Sequence, residues 1–247
     1  MKEYIHISDL HINDDIEHNN KVHQNLIKLH NLYPDAYFIS TGDNTNNGDE
    51  KEYTTLTNIF DFIKDKLIIV PGNHDYGVLG NFYQASHERN YHQFIDHKYT
   101  CHYINDDEKI LIIGLDSNLR TIDPFDFACG EIGETQLIML NDYLYAKKYT
   151  DYKKIVYLHH HPFMHTDPTM KLYDSNALMP LLAKHIDCLL FGHKHTQEMW
   201  HGEHRDSGAY MNYGINLIHC AGRISDQNKF MYIKIDNNVL EYKYIEI

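Results

Sequence analysis

Five short clusters of aspartate, asparagine and histidine carry the candidate chemistry of this 247-residue chain. Nitrogen and oxygen ligands of these types suit manganese, iron, zinc, cobalt or nickel. A carboxylate can also bridge two cations, and two metal ions about 3.5–4 Å apart can activate a water and stabilise an in-line displacement at phosphorus. The clusters are Ser8-Asp9-Leu10-His11, Thr41-Gly42-Asp43-Asn44, Gly72-Asn73-His74-Asp75, His159-His160-His161-Pro162 and Gly192-His193-Lys194-His195.

Taken singly, each cluster has an ordinary structural explanation. An Asp-x-His pair occurs often by chance, Gly, Asn and Asp favour turns, and three consecutive histidines at 159–161 also suit a solvated loop. Chance accounts poorly for all five clusters occurring in this order, each after an apolar run. The sequence therefore predicts one joint site.

The apolar runs before the clusters predict the β-strands that position them. These runs span residues 4–7, 36–39, 67–70, 154–158 and 188–191. In open α/β sheets, ligands bind at the carboxyl ends of the strands. We therefore expect the strands to bring the five clusters to one edge.

The remaining pattern predicts an α/β fold. Apolar residues recur at helical spacing within residues 22–33, 56–63, 137–144 and 176–185, and a further strand is predicted at 110–115. The tail predicts strands at 230–235 and 239–244 joined by a turn at Asn237-Asn238. Strands that alternate with helices indicate βαβ units, and the β-rich tail suggests a second sheet packed on the first. We expect a layered sandwich in one domain over residues 1–247.

Composition and charge limit the classes of partner. Hydrophobic residues make up 43% of the chain, and 22 Lys and Arg against 35 Asp and Glu give a formal net charge of −13. Nucleic acid needs a basic patch, so a nucleic-acid partner is not expected. Bound metal ions reverse the local charge, however, so a single phosphate in a pocket remains compatible with this balance.

No disulfide, signal peptide or membrane helix is predicted. Cys101, Cys129, Cys188 and Cys220 lie far apart and none forms a Cys-x-x-Cys pair, which predicts free thiols. The N-terminus runs into a strand without an apolar signal core. No stretch approaches the roughly 18–20 apolar residues of a membrane helix. We expect a cytoplasmic protein.

Together, the clusters resemble the calcineurin-like metallophosphoesterase superfamily over residues 4–195. The Ser-Asp-x-His start, the loop from Gly42 to Gly48 and the His-His-Pro turn are similar to the class III cyclic nucleotide phosphodiesterases and glycerophosphodiesterases. The resemblance implies an α/β sandwich of two mixed β-sheets flanked by helices. It also implies two divalent or transition-metal ions, with manganese, iron or zinc as candidates.

The resemblance assigns the metal ligands residue by residue. One ion is expected to be held by Asp9, His11, Asp43 and His195. The other is expected to be held by Asp43, Asn73, His160 and His193, so that Asp43 bridges the two. Among the three consecutive histidines, His160 is chosen because it lies two residues before Pro162, which is the family's spacing.

Catalytic and substrate-binding roles follow from the same resemblance. His74 is expected to face the phosphate and to stabilise the transition state or protonate the leaving oxygen. Asp75 is expected to orient His74 from behind. The expected substrate-binding residues are Asn73, His74 and His161. Asn46 stands where many relatives have Asp, which is expected to change the charge behind the site.

The expected reaction is hydrolysis of a small phosphodiester, a cyclic nucleotide or a glycerophosphodiester, by direct attack of a metal-bridging hydroxide. A phosphomonoesterase acting on a nucleotide, sugar phosphate or phosphoprotein stays open, because the same chemistry serves both. A non-catalytic metal-binding scaffold is the alternative of another class, and the presence of every ligand position argues against it. The sequence leaves open the oligomeric state and whether rim residues such as His165, His201, His204, Arg205 and Arg223 contact substrate.

Overall fold

Two mixed β-sheets pack face to face in the computed structural model of the chain. The first has five strands, in the order β15 (Val239–Glu246), β14 (Lys229–Asp236), β1 (Lys2–Ile7), β2 (Tyr37–Ser40) and β3 (Leu67–Ile69). The second has six, in the order β10 (Glu198–Trp200), β13 (Leu217–Cys220), β9 (Cys188–Phe191), β8 (Lys153–Tyr157), β7 (Ile110–Gly114) and β6 (His102–Asn105). Two small hairpins pair β4 (Gly77–Val78) with β5 (Phe82–Tyr83) and β11 (Glu203–Asp206) with β12 (Ala209–Asn212).

The structure describes all residues except 79–81, 97, 124–125, 127, 164–169, 201–202 and 207–208. For 203–206 and 209–212 it describes the backbone alone. No helix within the described ranges is long and apolar enough to cross a membrane. The four cysteines are free thiols, as predicted.

Helices cover the outer face of each sheet. They are α1 (Ile16–Leu32) and α2 (Glu50–Phe60) on the first sheet and α5 (Glu134–Tyr145) and α6 (Ser175–Leu182) on the second. Two shorter helices, α3 (Asn73–Tyr76) and α4 (Ala85–Tyr91), follow β3 and pack on each other. The Asp15 carboxylate begins α1 by accepting hydrogen bonds from the backbone N–H groups of Glu17 and His18. Asp49 begins α2 in the same way, through the N–H of Glu52. Such caps satisfy N–H groups that have no partner inside the helix.

Three apolar cores hold the four layers together. One joins α1 and α2 to the first sheet, and another joins α5 and α6 to the second. The third lies between the sheets, where residues such as Ile39 from β2 meet residues such as Ile112 from β7. The predicted sandwich of two mixed sheets flanked by helices is therefore confirmed.

The central strands of each sheet run parallel. β1, β2 and β3 are parallel neighbours in the first sheet, and β7, β8, β9 and β13 are parallel neighbours in the second. Parallel strands present their carboxyl ends at the same edge of a sheet. This arrangement brings the polar clusters that follow β1, β2, β3, β8 and β9 together.

The tail differs from the sequence-based expectation. Strands β14 and β15 do not build a second sheet but extend the first, with β14 antiparallel to β1. Only β13, from the beginning of the tail, joins the second sheet. Because β14 is buried along most of its length, it suits a position inside a covered sheet. The predicted turn is present, with positive φ angles of 49° at Asn237 and 60° at Asn238.

We predict that the layer between the sheets supports global stability. Ile39→Ala removes a side chain that is 0% exposed, and we expect the free energy of unfolding to fall by about 2–5 kcal/mol. Ile16→Ala, at a site that is 72% exposed, should change it by less than about 0.5 kcal/mol. Urea unfolding of both variants tests this, and equal effects would contradict the packing described.

Candidate metal centre

The loops after β1 and β2 run side by side and fix the first two clusters. The N–H of Asp9 donates to the carbonyl of Gly42 at 3.0 Å, and the N–H of His11 donates to the carbonyl of Asp43 at 2.9 Å. Because the loops are bonded to each other through their backbones, their side chains enter the site at fixed positions. Both carboxylates, Asp9 and Asp43, are buried there.

Five residues of these clusters have left-handed backbone conformations. Positive φ is uncommon for residues other than glycine, and strain of this kind, about 1–3 kcal/mol for each residue, concentrates at functional sites. The residues are Asp9 (φ 53°), His11 (47°), Asp43 (50°), His193 (76°) and His195 (55°). Tight loops in this conformation turn each side chain back over the strand ends.

The approach of β9 to β1 depends on Gly192. A Cβ atom at this position would clash with Ser8 Oγ and would lie 2.7 Å from Asp9 Oδ2. A side chain at 192 is therefore incompatible with this contact. The two sheets meet here closely enough for His193 N–H to donate to Asp9 Oδ2 at 3.2 Å.

One group of donor atoms comes from Asp9, His11, Asp43 and His195. His11 Nε2 lies 2.9 Å from His195 Nε2 and 3.6 Å from Asp43 Oδ2. His195 Nε2 lies 3.4 Å from Asp9 Oδ1. These four side chains are the ones that the sequence predicted for one metal ion.

A second group adjoins the first and shares Asp43. It contains Asp43, His159 and His193. His159 Nε2 lies 3.3 Å from Asp43 Oδ2 and 3.0 Å from His193 Nδ1. The amide oxygen of Asn73 lies 3.0 Å from the same nitrogen of His159, so it belongs to this group as a fourth donor.

The donor sets fit two cations. Metal–ligand bonds of about 2.0–2.2 Å place neighbouring ligand atoms about 3–3.5 Å apart, which is close to the separations seen in both groups. Asp9 Oδ1 is buried without a short hydrogen bond among the described residues, and the imidazole nitrogens that face it lie farther away, His195 Nε2 at 3.4 Å and His11 Nε2 at 4.0 Å. A buried carboxylate oxygen without a partner is costly unless a cation or donor faces it.

His159, and not His160, occupies the position expected for the histidine ligand of the second group. His160 Nδ1 lies 2.8 Å from Ser117 Oγ, and its ring packs against Gly130. Successive residues of an extended segment point to opposite sides. The side chains of His159 and His160 therefore point in opposite directions. The spacing to Pro162 points to His160, whereas the geometry brings the ring of His159 to Asp43 and His193.

His161 does not lie at the donor groups. It is 3% exposed and packs among aromatic rings, with centroid distances of 4.8 Å to Phe191, 5.3 Å to Phe163 and 6.0 Å to Trp200. These neighbours belong to the core between the second sheet and its helices. This position does not agree with the expectation that His161 contacts substrate, because its ring packs in that core.

Asp75 does not orient His74, contrary to expectation. Its buried carboxylate accepts hydrogen bonds from Gly72 N at 2.8 Å, Asn44 Nδ2 at 2.9 Å and Thr45 N at 2.9 Å. Asp75 thereby ties the loop after β3 to the loop after β2. His74 instead uses a carbonyl, since its Nδ1 lies 2.8 Å from Asn46 O.

His74 lies at the margin of the first group. Its ring centroid is 4.6 Å from that of His11, with the rings nearly perpendicular. Its backbone N–H donates to Asp43 Oδ1 at 3.0 Å. His74 therefore holds the Asp43 carboxylate through its main chain and places its imidazole beside the first donor group.

The electrostatics of the site couple its carboxylates to its histidines. Burial acts to raise the pKa of Asp43, but the His159 and His74 imidazoles hold that pKa well below its usual range. Burial acts to lower the pKa of His159, but the neighbouring Asp43 carboxylate outweighs this effect, and the pKa of His159 rises to about 9. Burial lowers the pKa of His11 and of His193 to about 3, so both are neutral at pH 7 and ready to act as ligands.

Among the expected rim residues, Arg223 lies near the first group. Contact with the Asp9 carboxylate raises the pKa of His195, and the charge of Arg223 opposes this effect. His165 and His201 lie outside the described residues, as do the side chains of His204 and Arg205.

Comparisons with known proteins agree with this arrangement. The model of the family described as calcineurin-like phosphoesterase matches residues 3–197. A probable glycerophosphodiester phosphodiesterase of Arcobacter nitrofigilis is 25% identical over 205 residues, covering 77% of this chain and 71% of that protein. A probable cyclic nucleotide phosphodiesterase of Ruthia magnifica is 28% identical over 229 residues, covering 88% and 84%. A dimetal phosphatase structure from Danio rerio has the same fold, with a TM-score of 0.63, 14% identity and coverage of 99% and 98%.

We predict that adjacent histidines differ in metal binding. The wild-type chain should bind two Mn²⁺ ions, His159→Ala should bind one fewer, and His160→Ala should keep both. Equilibrium dialysis followed by metal analysis measures the stoichiometry. If His160→Ala lost an ion while His159→Ala kept two, the ligand would be His160 and the geometric assignment would be wrong.

Proposed function

Because this chain belongs to the calcineurin-like phosphoesterase family, we propose that it hydrolyses a small phosphodiester with two metal ions. Membership makes it a hydrolase of phosphoester bonds. The observation that carries the finer proposal is the sharing of Asp43 between two adjoining donor groups. A carboxylate common to both groups suits a pair of cations that act on one phosphate.

The proposed ligands follow the two donor groups. One ion would be held by Asp9, His11, Asp43 and His195, and the other by Asp43, Asn73, His159 and His193. When bound, two such ions supply an activated water and neutralise charge that develops on the phosphoryl oxygens. This ligand set accepts manganese, iron or zinc.

The chain's own contribution begins with orientation. The N–H of His74 holds Asp43 Oδ1, and Oδ2 of the same carboxylate faces both His11 and His159. The carboxylate therefore cannot rotate without losing a hydrogen bond. Asp75 fixes the two loops that carry Asp43 and Asn73 with respect to each other. Preorganisation of this kind contributes to catalysis because the groups need not rearrange during the reaction.

His74 is the proposed acid for the leaving group. A carbonyl oxygen can only accept, so Nδ1 of His74 carries a proton that it donates to Asn46 O. Nε2, on the other side of the ring, is then the atom that exchanges a proton with substrate. In the cationic ring, which carries a second proton on Nε2, that proton passes to the leaving oxygen as its bond to phosphorus breaks, and the neutral ring left behind keeps its proton on Nδ1.

A diester is the proposed substrate class. Both curated relatives described above carry phosphodiesterase names, one for glycerophosphodiesters and one for cyclic nucleotides. The formal net charge of −13 disfavours a polyanionic nucleic acid and is compatible with a small, singly charged diester. A donor group in every expected place counts against a purely structural scaffold.

We predict a preference for diesters that depends on Asp43. With Mn²⁺, hydrolysis of bis(p-nitrophenyl) phosphate should exceed that of p-nitrophenyl phosphate by about tenfold or more in kcat/KM, a difference of about 1.4 kcal/mol in the barrier. Asp43→Asn should lower the diester rate by at least about 10³-fold. Asp142→Asn, the same change on the exposed face of α5, should have no effect. A preference for the monoester would instead identify a phosphomonoesterase with the same donor groups.

We also predict that His74→Asn reveals the role of the leaving-group acid. Nitrophenolate leaves without a proton, whereas the more basic phenolate released from diphenyl phosphate needs one. The variant should therefore lose about 10²-fold or more in kcat with diphenyl phosphate and much less with bis(p-nitrophenyl) phosphate. Equal losses with both substrates would show that His74 acts on charge in the transition state and is not the acid.

A further inference from the structure

A buried carboxylate behind the site holds the loop that contacts His74. Glu52 lies in the first turn of α2 and is 3% exposed. Its Oε2 accepts from the backbone N–H groups of Asn46 at 3.1 Å, Asn47 at 2.7 Å and Gly48 at 3.1 Å. Three consecutive N–H groups around one oxygen form a nest for an anion.

This arrangement differs from an ordinary helix cap. A glutamate at this position of a helix usually bonds back to the N–H of the capping residue, here Asp49. The side chain of Glu52 reaches past Asp49 to residues 46–48 instead. A side chain at 48 would collide with the carbonyl oxygen of Asp75, and the φ of Gly48 is +74°, so glycine is required for the loop to pass there.

One peptide group connects Glu52 to His74. The N–H of the peptide between Asn46 and Asn47 donates to Glu52 Oε2 at 2.7 Å. The C=O of that same peptide accepts from His74 Nδ1 at 2.8 Å. Hydrogen bonds in series polarise one another. The carboxylate therefore makes this carbonyl a better acceptor for the imidazole N–H than an unsupported carbonyl would be.

Asn46 takes part in this chain of hydrogen bonds through its main chain. The side chain there brings no negative charge to His74, and the contact with His74 is made by the main chain. The negative charge that strengthens this hydrogen bond is on Glu52, and one peptide group separates it from the imidazole. Its position is fixed by α2, whose beginning is capped by Asp49.

We propose that Glu52 is a positioning residue that acts on His74 through the peptide between Asn46 and Asn47. The carboxylate strengthens the bond from His74 Nδ1 to Asn46 O, so that Nε2 is the nitrogen that gives its proton to the leaving oxygen and the neutral ring left behind has its proton on Nδ1. This inference rests on the proposed function, because it requires that His74 protonate the leaving group.

The test compares Glu52→Gln with Glu50→Gln. Both changes remove one negative charge from the first turn of α2, but Glu50 is exposed, whereas Glu52 is buried against residues 46–48. With saturating Mn²⁺, Glu52→Gln should lower kcat for diphenyl phosphate by about tenfold and for bis(p-nitrophenyl) phosphate by less than about twofold. Glu50→Gln should change neither, and metal stoichiometry should be unchanged in both.

A second readout does not depend on activity. Imidazole ¹⁵N shifts of His74 in the metal-free chain, assigned with His74→Asn, should report a proton on Nδ1 in the wild type and a mixture of tautomers in Glu52→Gln. If Glu52→Gln does not fold, Glu52→Asp keeps the charge but shortens its reach, and the same selective loss is expected.

The outcomes separate the two proposals. Selective loss in His74→Asn with uniform loss or none in Glu52→Gln, or unchanged His74 shifts, would overturn the role of Glu52 and leave the acid role of His74 intact. If His74→Asn itself showed no dependence on the leaving group, the acid role would fall, and the role of Glu52 in it would fall too.

Discussion

The buried carboxylate of Asp43 is the group on which both donor clusters depend. One of its oxygens accepts from the N–H of His74, and the other faces His11 at 3.6 Å and His159 at 3.3 Å. A second buried carboxylate, Asp9, lies in the same place. Removing two negative charges from water is unfavourable unless cations or donors surround them. The imidazoles and left-handed loops around Asp43 surround these carboxylates with nitrogen and oxygen donors of the kind that bind metal ions.

The donor groups come together because two sheets meet at one edge. The first sheet supplies Asp9, His11, Asp43 and Asn73, and the second supplies His159, His193 and His195. Beneath the site, a histidine pair joins the sheets, with His6 Nδ1 of β1 lying 2.7 Å from His219 Nδ1 of β13. His6 Nε2 also lies 2.9 Å from Thr41 Oγ1, just before Gly42 and Asp43. Burial lowers the pKa of both histidines, so the pair is neutral and one ring donates its N–H to the other. The pair thereby links β1 of the first sheet to β13 of the second.

Behind the two donor groups, the buried carboxylates of Asp75 and Glu52 accept hydrogen bonds from backbone N–H groups. Asp75 collects N–H groups from the loops after β2 and β3, and Glu52 collects three from residues 46–48. Loops with left-handed residues are costly by themselves, about 1–3 kcal/mol for each such residue. Buried carboxylates that satisfy several N–H groups at once offset that cost and restrict the loops to one conformation. The geometry of the two donor groups is thus supported by side chains that lie outside both groups.

The sequence by itself determined the strands that end in polar clusters, the α/β class and the residue types of the site. These features are local, since a strand's apolar run and the residues that follow it are contiguous in the chain. Only the tertiary structure decided that the tail strand β14 pairs with β1, that His159 and not His160 joins the second group, and that His161 belongs to the aromatic core. It also decided that Asp75 and Glu52 bind loops. The physical reason is that the direction of a side chain depends on the twist and packing of its strand end against another sheet, and neighbouring histidines of the same type give no local signal that distinguishes their directions.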